Sequence, residues 1–226
     1  MLLYYITDRK GLAATDAQQR CRLLVRIGEA AHAGVDYIQL REKDLAARDL
    51  ERLAREAVQV VRDHSATAKL LINGRADVAL AAGADGVHLP AGELDVPEVR
   101  ALWMQASDRA PVIAVSAHTI EEVRAAADQG ANFAVLAPMF EKAHTDLRPV
   151  GIDALRIACG STSLNNAKPV SPGFAILALG GVTLANAEAC LAAGAAGLAG
   201  IRLFQNGDVA GTVRRLRELE HTRSSS

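Results

Sequence analysis

The sequence predicts a single (β/α)8 barrel, on three observations. Short apolar runs alternate with amphipathic stretches from one end of the chain to the other, and eight such runs can be counted. A motif recurs ahead of every second run: Ala33-Gly-Val-Asp36, Ala82-Gly-Ala-Asp85, Gln129-Gly-Ala-Asn132 and Ala193-Gly-Ala-Ala196. Each reads as a helix stopped at glycine, a brief turn and then a strand. Finally, 226 residues that are 50% hydrophobic suit one domain of this size with a sizeable core. The structural alternative is a doubly wound open sheet; no domain boundary is evident in 1–226.

The strands are expected at Leu2–Thr7, Tyr37–Leu40, Leu70–Asn73, Gly86–Leu89, Val112–Ser116, Phe133–Ala137, Ala175–Leu179 and Gly197–Ile201. Continuous apolar runs of this length, bounded by Gly, suit strands covered on both faces. Amphipathic helical stretches lie between them at Arg20–Ala33, Ala47–Arg62, Ile120–Gln129, Leu184–Ala193 and Gly211–Glu220. The Ser-, Asn- and Pro-rich segment 160–173 reads as a loop, and residues 221–226 as a frayed tail.

Composition narrows the function classes. A formal net charge of −1 gives no electrostatic reason to expect nucleic acid or a membrane surface. No run approaches the roughly 18 apolar residues of a membrane span, and the N-terminus lacks the basic region of a signal peptide. Cys21, Cys159 and Cys190 are scattered, without metal or disulfide spacing, which fits a cytoplasmic protein. The Ala-rich helical exterior would accommodate a homodimer.

In a barrel of this kind the chemistry sits at the carboxyl ends of the strands. Gly180-Gly181 follows the seventh strand and Gly200-Ile201 closes the eighth. Glycine lets backbone approach a ligand, and amides at a helix start favour an anion, so these turns form a candidate phosphate site. Gln39, Arg41 and Lys43 alternate along an extended segment and so share a face, where two cations could clamp a phosphate or carboxylate. The bland reading is ordinary ion pairing to Glu42 or Asp44. Asn73-Gly-Arg75 ends the third strand; Asn could bond a heterocycle and Arg an anion, although Asn-Gly is also a common turn.

Among six histidines, His118, two residues past Ser116, is the best acid/base candidate, since imidazole moves protons both ways near neutral pH. Its structural alternative is a helix-start residue engaged with Glu121 or Glu122. His88, inside Val-His-Leu, reads as a satisfied lumen residue, and nothing marks His32, His64, His144 or His221. No cluster has metal-ligand spacing.

Five stretches occur in order across nearly the whole chain: Ile6-Thr-Asp8, Gln39-Leu-Arg-Glu-Lys43, Gly83-Ala-Asp-Gly-Val-His-Leu89, Ser116-Ala-His-Thr-Ile-Glu-Glu122 and Leu179-Gly-Gly-Val182. Together they resemble the thiamine phosphate synthase/TenI family of phosphate-binding (β/α)8 barrels. That resemblance implies thiamine biosynthesis on a thiazole phosphate, by one of two chemistries. A synthase joins hydroxymethylpyrimidine diphosphate to thiazole phosphate, releases pyrophosphate and uses Mg²⁺. A TenI-type tautomerase aromatises a carboxythiazole phosphate by proton transfer and needs no cofactor.

Departures from the synthase pattern favour the tautomerase branch. Where synthases carry Asn-Asp at the end of strand 3, this chain has Asn73-Gly74, so one Mg²⁺ carboxylate is missing. Glu93 takes the register of the other. The loop Phe140-Glu-Lys-Ala-His-Thr145 places Thr145 where a diphosphate-binding Lys is usual, and leaves Glu141 and Lys142 without an assigned role. Phe140-Glu141, Asn73-Gly-Arg75 and Ser116-x-His118 resemble the tautomerases, with His118 implied as proton carrier. Gln39-x-Arg41-x-Lys43 pulls the other way, towards the synthases. A non-catalytic binder of a thiamine-pathway phosphate is the third expectation.

Overall fold

The computed structural model describes residues 1–92, 95–141, 148–160 and 173–224. Eight parallel strands close into a barrel in chain order: β1 (Leu2–Ile6), β2 (Tyr37–Leu40), β3 (Lys69–Asn73), β4 (Gly86–Leu89), β5 (Val112–Ala117), β6 (Phe133–Leu136), β7 (Ala175–Leu179) and β8 (Gly197–Gly200). Each predicted strand is present, with ends moved by at most 1 residue. The open-sheet alternative is excluded by the pairing of β1 with β8, Leu2 opposite Gly197.

The helices are α1 (Asp16–His32), α2 (Ala47–His64), α3 (Ala76–Ala82), α4 (Val96–Ala106), α5 (Ile120–Asp128), α6 (Gly151–Ala158), α7 (Ala187–Ala192), α8 (Arg202–Gln205) and α9 (Val209–Ser224). The helices α3, α4 and α6, of 7, 11 and 8 residues, complete the alternation of strands and helices. α9 starts before Gly211 because the Asp208 carboxylate accepts that residue's amide at 3.0 Å. It then runs to Ser224, so the stretch expected to fray from residue 221 is helical that far. The 160–173 loop falls largely on residues outside those described.

Two apolar layers follow from the period of two along each strand. Tyr4 and Ile6 point into the barrel with Leu71, Phe133, Val135 and Leu177. Leu3, Tyr5, Ile38 and Leu40 face outward and pack under the helices. The helices answer with residues three and four apart, as on α2, where Leu50, Leu53, Ala54, Ala57, Val58 and Val61 are buried. Few aromatics are available, and three of them meet inside the barrel: Tyr4 stands edge-on to Phe133 at 5.5 Å and to Tyr37 at 6.0 Å. β4 begins at Gly86 because any Cβ there would strike the Val112 carbonyl of β5.

The recurring motif has a structural purpose at the amino ends of the strands. Asp36 accepts the Leu3 amide at 2.7 Å, Asp85 the Leu70 amide at 2.9 Å, and Asn132 the Ile113 amide at 2.8 Å. In return the backbone N–H of each acceptor residue donates to the carbonyl of the same partner, at 3.0, 2.9 and 2.8 Å. Strands 1 and 2, 3 and 4, and 5 and 6 are thus clasped in pairs. The fourth copy has Ala196 and keeps only the backbone half, to Ile176 at 2.9 Å. Among the described residues no helix is long and apolar enough to cross a membrane.

Candidate active site

The carboxyl ends of the strands open into a cavity of about 1500 Å³. It brings together Gln39, Arg41, Lys43, Asn73, Ser116, His118, Gly180, Gly181, Gly200 and Ile201. Arg75 is not among them. Its guanidinium lies in a two-pronged pair with Asp77, at 2.8 and 2.6 Å, and is not part of the cavity wall. The acid two residues downstream captures it before a ligand could.

Arg41 and Lys43 escape such capture because of Arg9. The segment after β2 alternates, so Gln39, Arg41 and Lys43 face the cavity while Glu42 and Asp44 face away. Arg9, 4% exposed, meets Glu42 at 3.2 Å, Asp44 at 2.6 Å and Asp16 at 3.1 Å. Thr7 donates its hydroxyl to Glu42 at 2.7 Å and accepts the Arg41 amide at 2.9 Å. Burial raises the Glu42 pKa, against the bonds from Thr7 and Arg9, whereas the Arg9 hydrogen bond holds Asp44 well below the usual carboxylate range. With both acids engaged, the Arg41 and Lys43 side chains have no acidic partner among the described residues. The expected local pairing to Glu42 or Asp44 does not form.

Gln39 is buried at the floor, where its Nε2 donates to Asn73 Oδ1 at 3.2 Å. That bond fixes Asn73 at the end of β3, before Gly74 turns the chain at φ +64°. His88 is the lumen residue the strand pattern implied. It joins Tyr4 Oη at 3.0 Å and Ser116 Oγ at 2.7 Å, and burial, with the Arg41 charge adding, pushes its pKa down to about 3. His118 sits in the turn before α5 with its amide on Glu122, so part of the helix-start reading holds. Its ring does more: Nδ1 lies 2.9 Å from the Ala137 carbonyl. A carbonyl only accepts, so Nδ1 carries the hydrogen, and Nε2 is left for the cavity.

The glycine turns face these groups from β7 and β8. Gly180 and Gly181 adopt φ of +97° and +71°, and a Cβ at Gly181 would lie 2.7 Å from that of Phe140. Asn186 braces the turn, accepting from the Thr183 amide at 2.7 Å and donating to the Gly181 carbonyl at 3.0 Å. The amides of Gly181, Val182 and Ile201 meet no acceptor among the described residues, which suits an anion.

Glu93, Lys142 and Thr145 lie outside the described residues, so the Mg²⁺ carboxylate and the loop expectations attached to them do so too. Glu141 is exposed. Sequence reasoning missed Arg9, Glu42 and Asn186. Arg9 carried no local signal, since its partners lie 7 to 35 residues along the chain. The Asn three residues after Thr183 was a turn signal that could have been read.

A closed parallel barrel whose unpaired polar groups converge at the carboxyl ends is the arrangement of a (β/α)8 enzyme. The comparisons narrow the class. The family described as thiamine monophosphate synthase matches residues 3–204, and the chain belongs to that family. The thiamine-phosphate synthase of Methanoculleus marisnigri is 36% identical over 220 residues, 96% of this chain and 93% of that protein. The synthase of Coprothermobacter proteolyticus is 34% identical over 222 residues, again 96% and 93%. The thiamine phosphate pyrophosphorylase structure from Pyrococcus furiosus superposes with a TM-score of 0.76 at 26% identity, covering 98% and 96%.

Proposed function

We propose that the protein is a thiamine-phosphate synthase, joining a hydroxymethylpyrimidine diphosphate to a thiazole phosphate with release of pyrophosphate. The observation that carries this reading over the tautomerase is the size and charge layout of the cavity. Sites for one small ligand usually span about 300–1,000 Å³, and about 1500 Å³ admits two substrates side by side. It offers two anion seats, the cations after β2 and the glycine turns after β7 and β8, with β1 between them. The relatives' names support the same choice.

The chemistry follows from those seats. The bond from the pyrimidine methylene carbon to the diphosphate oxygen breaks, and its electron pair stays on oxygen. The thiazole nitrogen lone pair forms the new C–N bond. Charge grows on the departing diphosphate, where Arg41 and Lys43 meet it in a site that costs no reorganisation. The thiazole phosphate rests on the Gly181, Val182 and Ile201 amides. His118, its Nδ1–H tied to Ala137, presents a bare Nε2 that takes a proton from solvent and passes it to the leaving pyrophosphate.

Mg²⁺ accompanies the diphosphate in this reading. Among the described residues no group of three or more His, Cys, Asp or Glu could hold a metal ion, and Gly74 offers no carboxylate. They do not fit the ion by themselves, and no step above runs through it.

One observation favours the second reading, a TenI-like isomerase: His118 is fixed as a lone proton carrier beside a site with Gly74 in place of a carboxylate. Incubating the protein with both synthase substrates and Mg²⁺, and following thiamine phosphate and pyrophosphate, tests the proposal. Stoichiometric formation of both is expected. No product from competent substrates would remove the synthase reading. Adding the non-aromatic carboxythiazole phosphate tautomer would then distinguish the isomerase from a binder that turns over neither.

A further inference from the structure

A buried polar chain runs from the barrel interior to the cavity wall, from Tyr4 through His88 to Ser116. Tyr4 is fully buried, with the rings of Phe133 and Tyr37 edge-on beside it. His88 Nδ1, at 3.0 Å, is the single acceptor its hydroxyl meets among the described residues. A buried hydroxyl turned away from its acceptor bears the full desolvation cost, so the phenol O–H points at Nδ1.

The rest of the chain is then fixed in order. Nδ1 accepts and carries no hydrogen. The ring is held neutral by burial beside the Arg41 charge, so its one N–H is on Nε2. That N–H donates to Ser116 Oγ at 2.7 Å. Ser116 therefore has no use for its own hydrogen at His88, and its side chain lines the cavity. In the cavity that hydrogen is offered to solvent or to a ligand.

We propose that Tyr4 and His88 are positioning residues that fix the direction of the Ser116 hydroxyl, making it a donor into the cavity toward a diphosphate or phosphate oxygen. The identity of that oxygen rests on the synthase reading; the direction of the chain does not. A hydroxyl free to rotate would accept or donate indifferently. One whose lone pair is engaged by Nε2–H is preset for an acceptor, and no reorientation is needed when the ligand arrives.

The test separates the two parts. In ligand-free protein labelled with ¹⁵N-histidine, the His88 signals, assigned by their loss in His88→Gln, should show a protonated Nε2 and a bare Nδ1 at neutral pH. In Tyr4→Phe the two tautomers should mix. A proton on Nδ1 in the wild type overturns the proposal, whatever the protein catalyses. With inorganic pyrophosphate as the probe, Ser116→Ala and Tyr4→Phe should each weaken binding about tenfold, or 1.4 kcal/mol, and the double variant no further. His88→Gln, whose amide can accept from Tyr4 and donate to Ser116, should retain most of the affinity, and His88→Leu should lose it. Additive losses in the double variant, or no rescue by Gln, would reduce Tyr4 and His88 to packing. Failure of wild-type protein to bind pyrophosphate would count against the synthase reading, while the tautomer measurement would still decide the direction of the chain.

Discussion

The two ends of the barrel treat their polar groups in opposite ways. At the amino end Asp36, Asp85 and Asn132 are engaged by backbone amides of the neighbouring strand. At the carboxyl end Arg41, Lys43, His118 Nε2 and the glycine-turn amides point into open space with no protein acceptor or acid among the described residues. A polar group that is satisfied by its own fold holds the fold together; one that is solvated and convergent waits for a ligand. The amino end is where stability resides, and the carboxyl end is where it was forgone for binding. Arg9 links the two policies, because it satisfies Glu42 and Asp44 and so leaves Arg41 and Lys43 unsatisfied.

The sharpest test of this contrast is at His118. His118→Asn should lower turnover by about 10²–10⁴-fold, the usual worth of a general acid or base, while the thermal midpoint barely moves. Unchanged turnover would take His118 out of the mechanism. Arg9→Met should cost about 3 kcal/mol in chemical denaturation, because Glu42 is left buried without its cation. It should weaken pyrophosphate binding as well, as Asp44, left with Lys10 alone, competes for Lys43. A variant that lost stability yet bound pyrophosphate as tightly as before would break the proposed link between Arg9 and the two unpaired cations.

Gly181→Val comes next. Its φ of +71° and the Phe140 side chain leave no place for a β-branched residue. The strain should amount to about 1–3 kcal/mol, read as a rise of at least about tenfold in KM for the thiazole phosphate. An unaltered KM would move the phosphate seat elsewhere. The smallest effect belongs to the amino end: Asn132→Ala should cost about 1 kcal/mol of stability with kcat/KM intact. A fall in activity there would show that the two ends are coupled after all.

Much of this was legible in the chain. Strand ends were read to within a residue because a strand buried on both faces is an uninterrupted apolar run, and glycine punctuates it. The cavity residues were legible because a barrel topology converts position at a strand's carboxyl end into position in one site. Arg75 broke that rule for a local reason, Asp77, which the sequence displayed. The synthase-versus-tautomerase choice was less legible, because residue departures such as Gly74 tell of what is missing and not of how much room remains.

The amino-acid sequence by itself determined the eight strands, their order, the glycine turns and the face that Gln39, Arg41 and Lys43 share. These are consequences of short-range periodicity and of backbone conformations that few residues permit. Only the tertiary structure decided which charges are spent. Arg9 reaches Asp44 across 35 residues, and His88 joins Tyr4 and Ser116 across 84 and 28. The physical reason is that hydrogen bonds and ion pairs saturate. A side chain's availability depends on every competitor that folding brings near it, and sequence neighbours are a small part of that company.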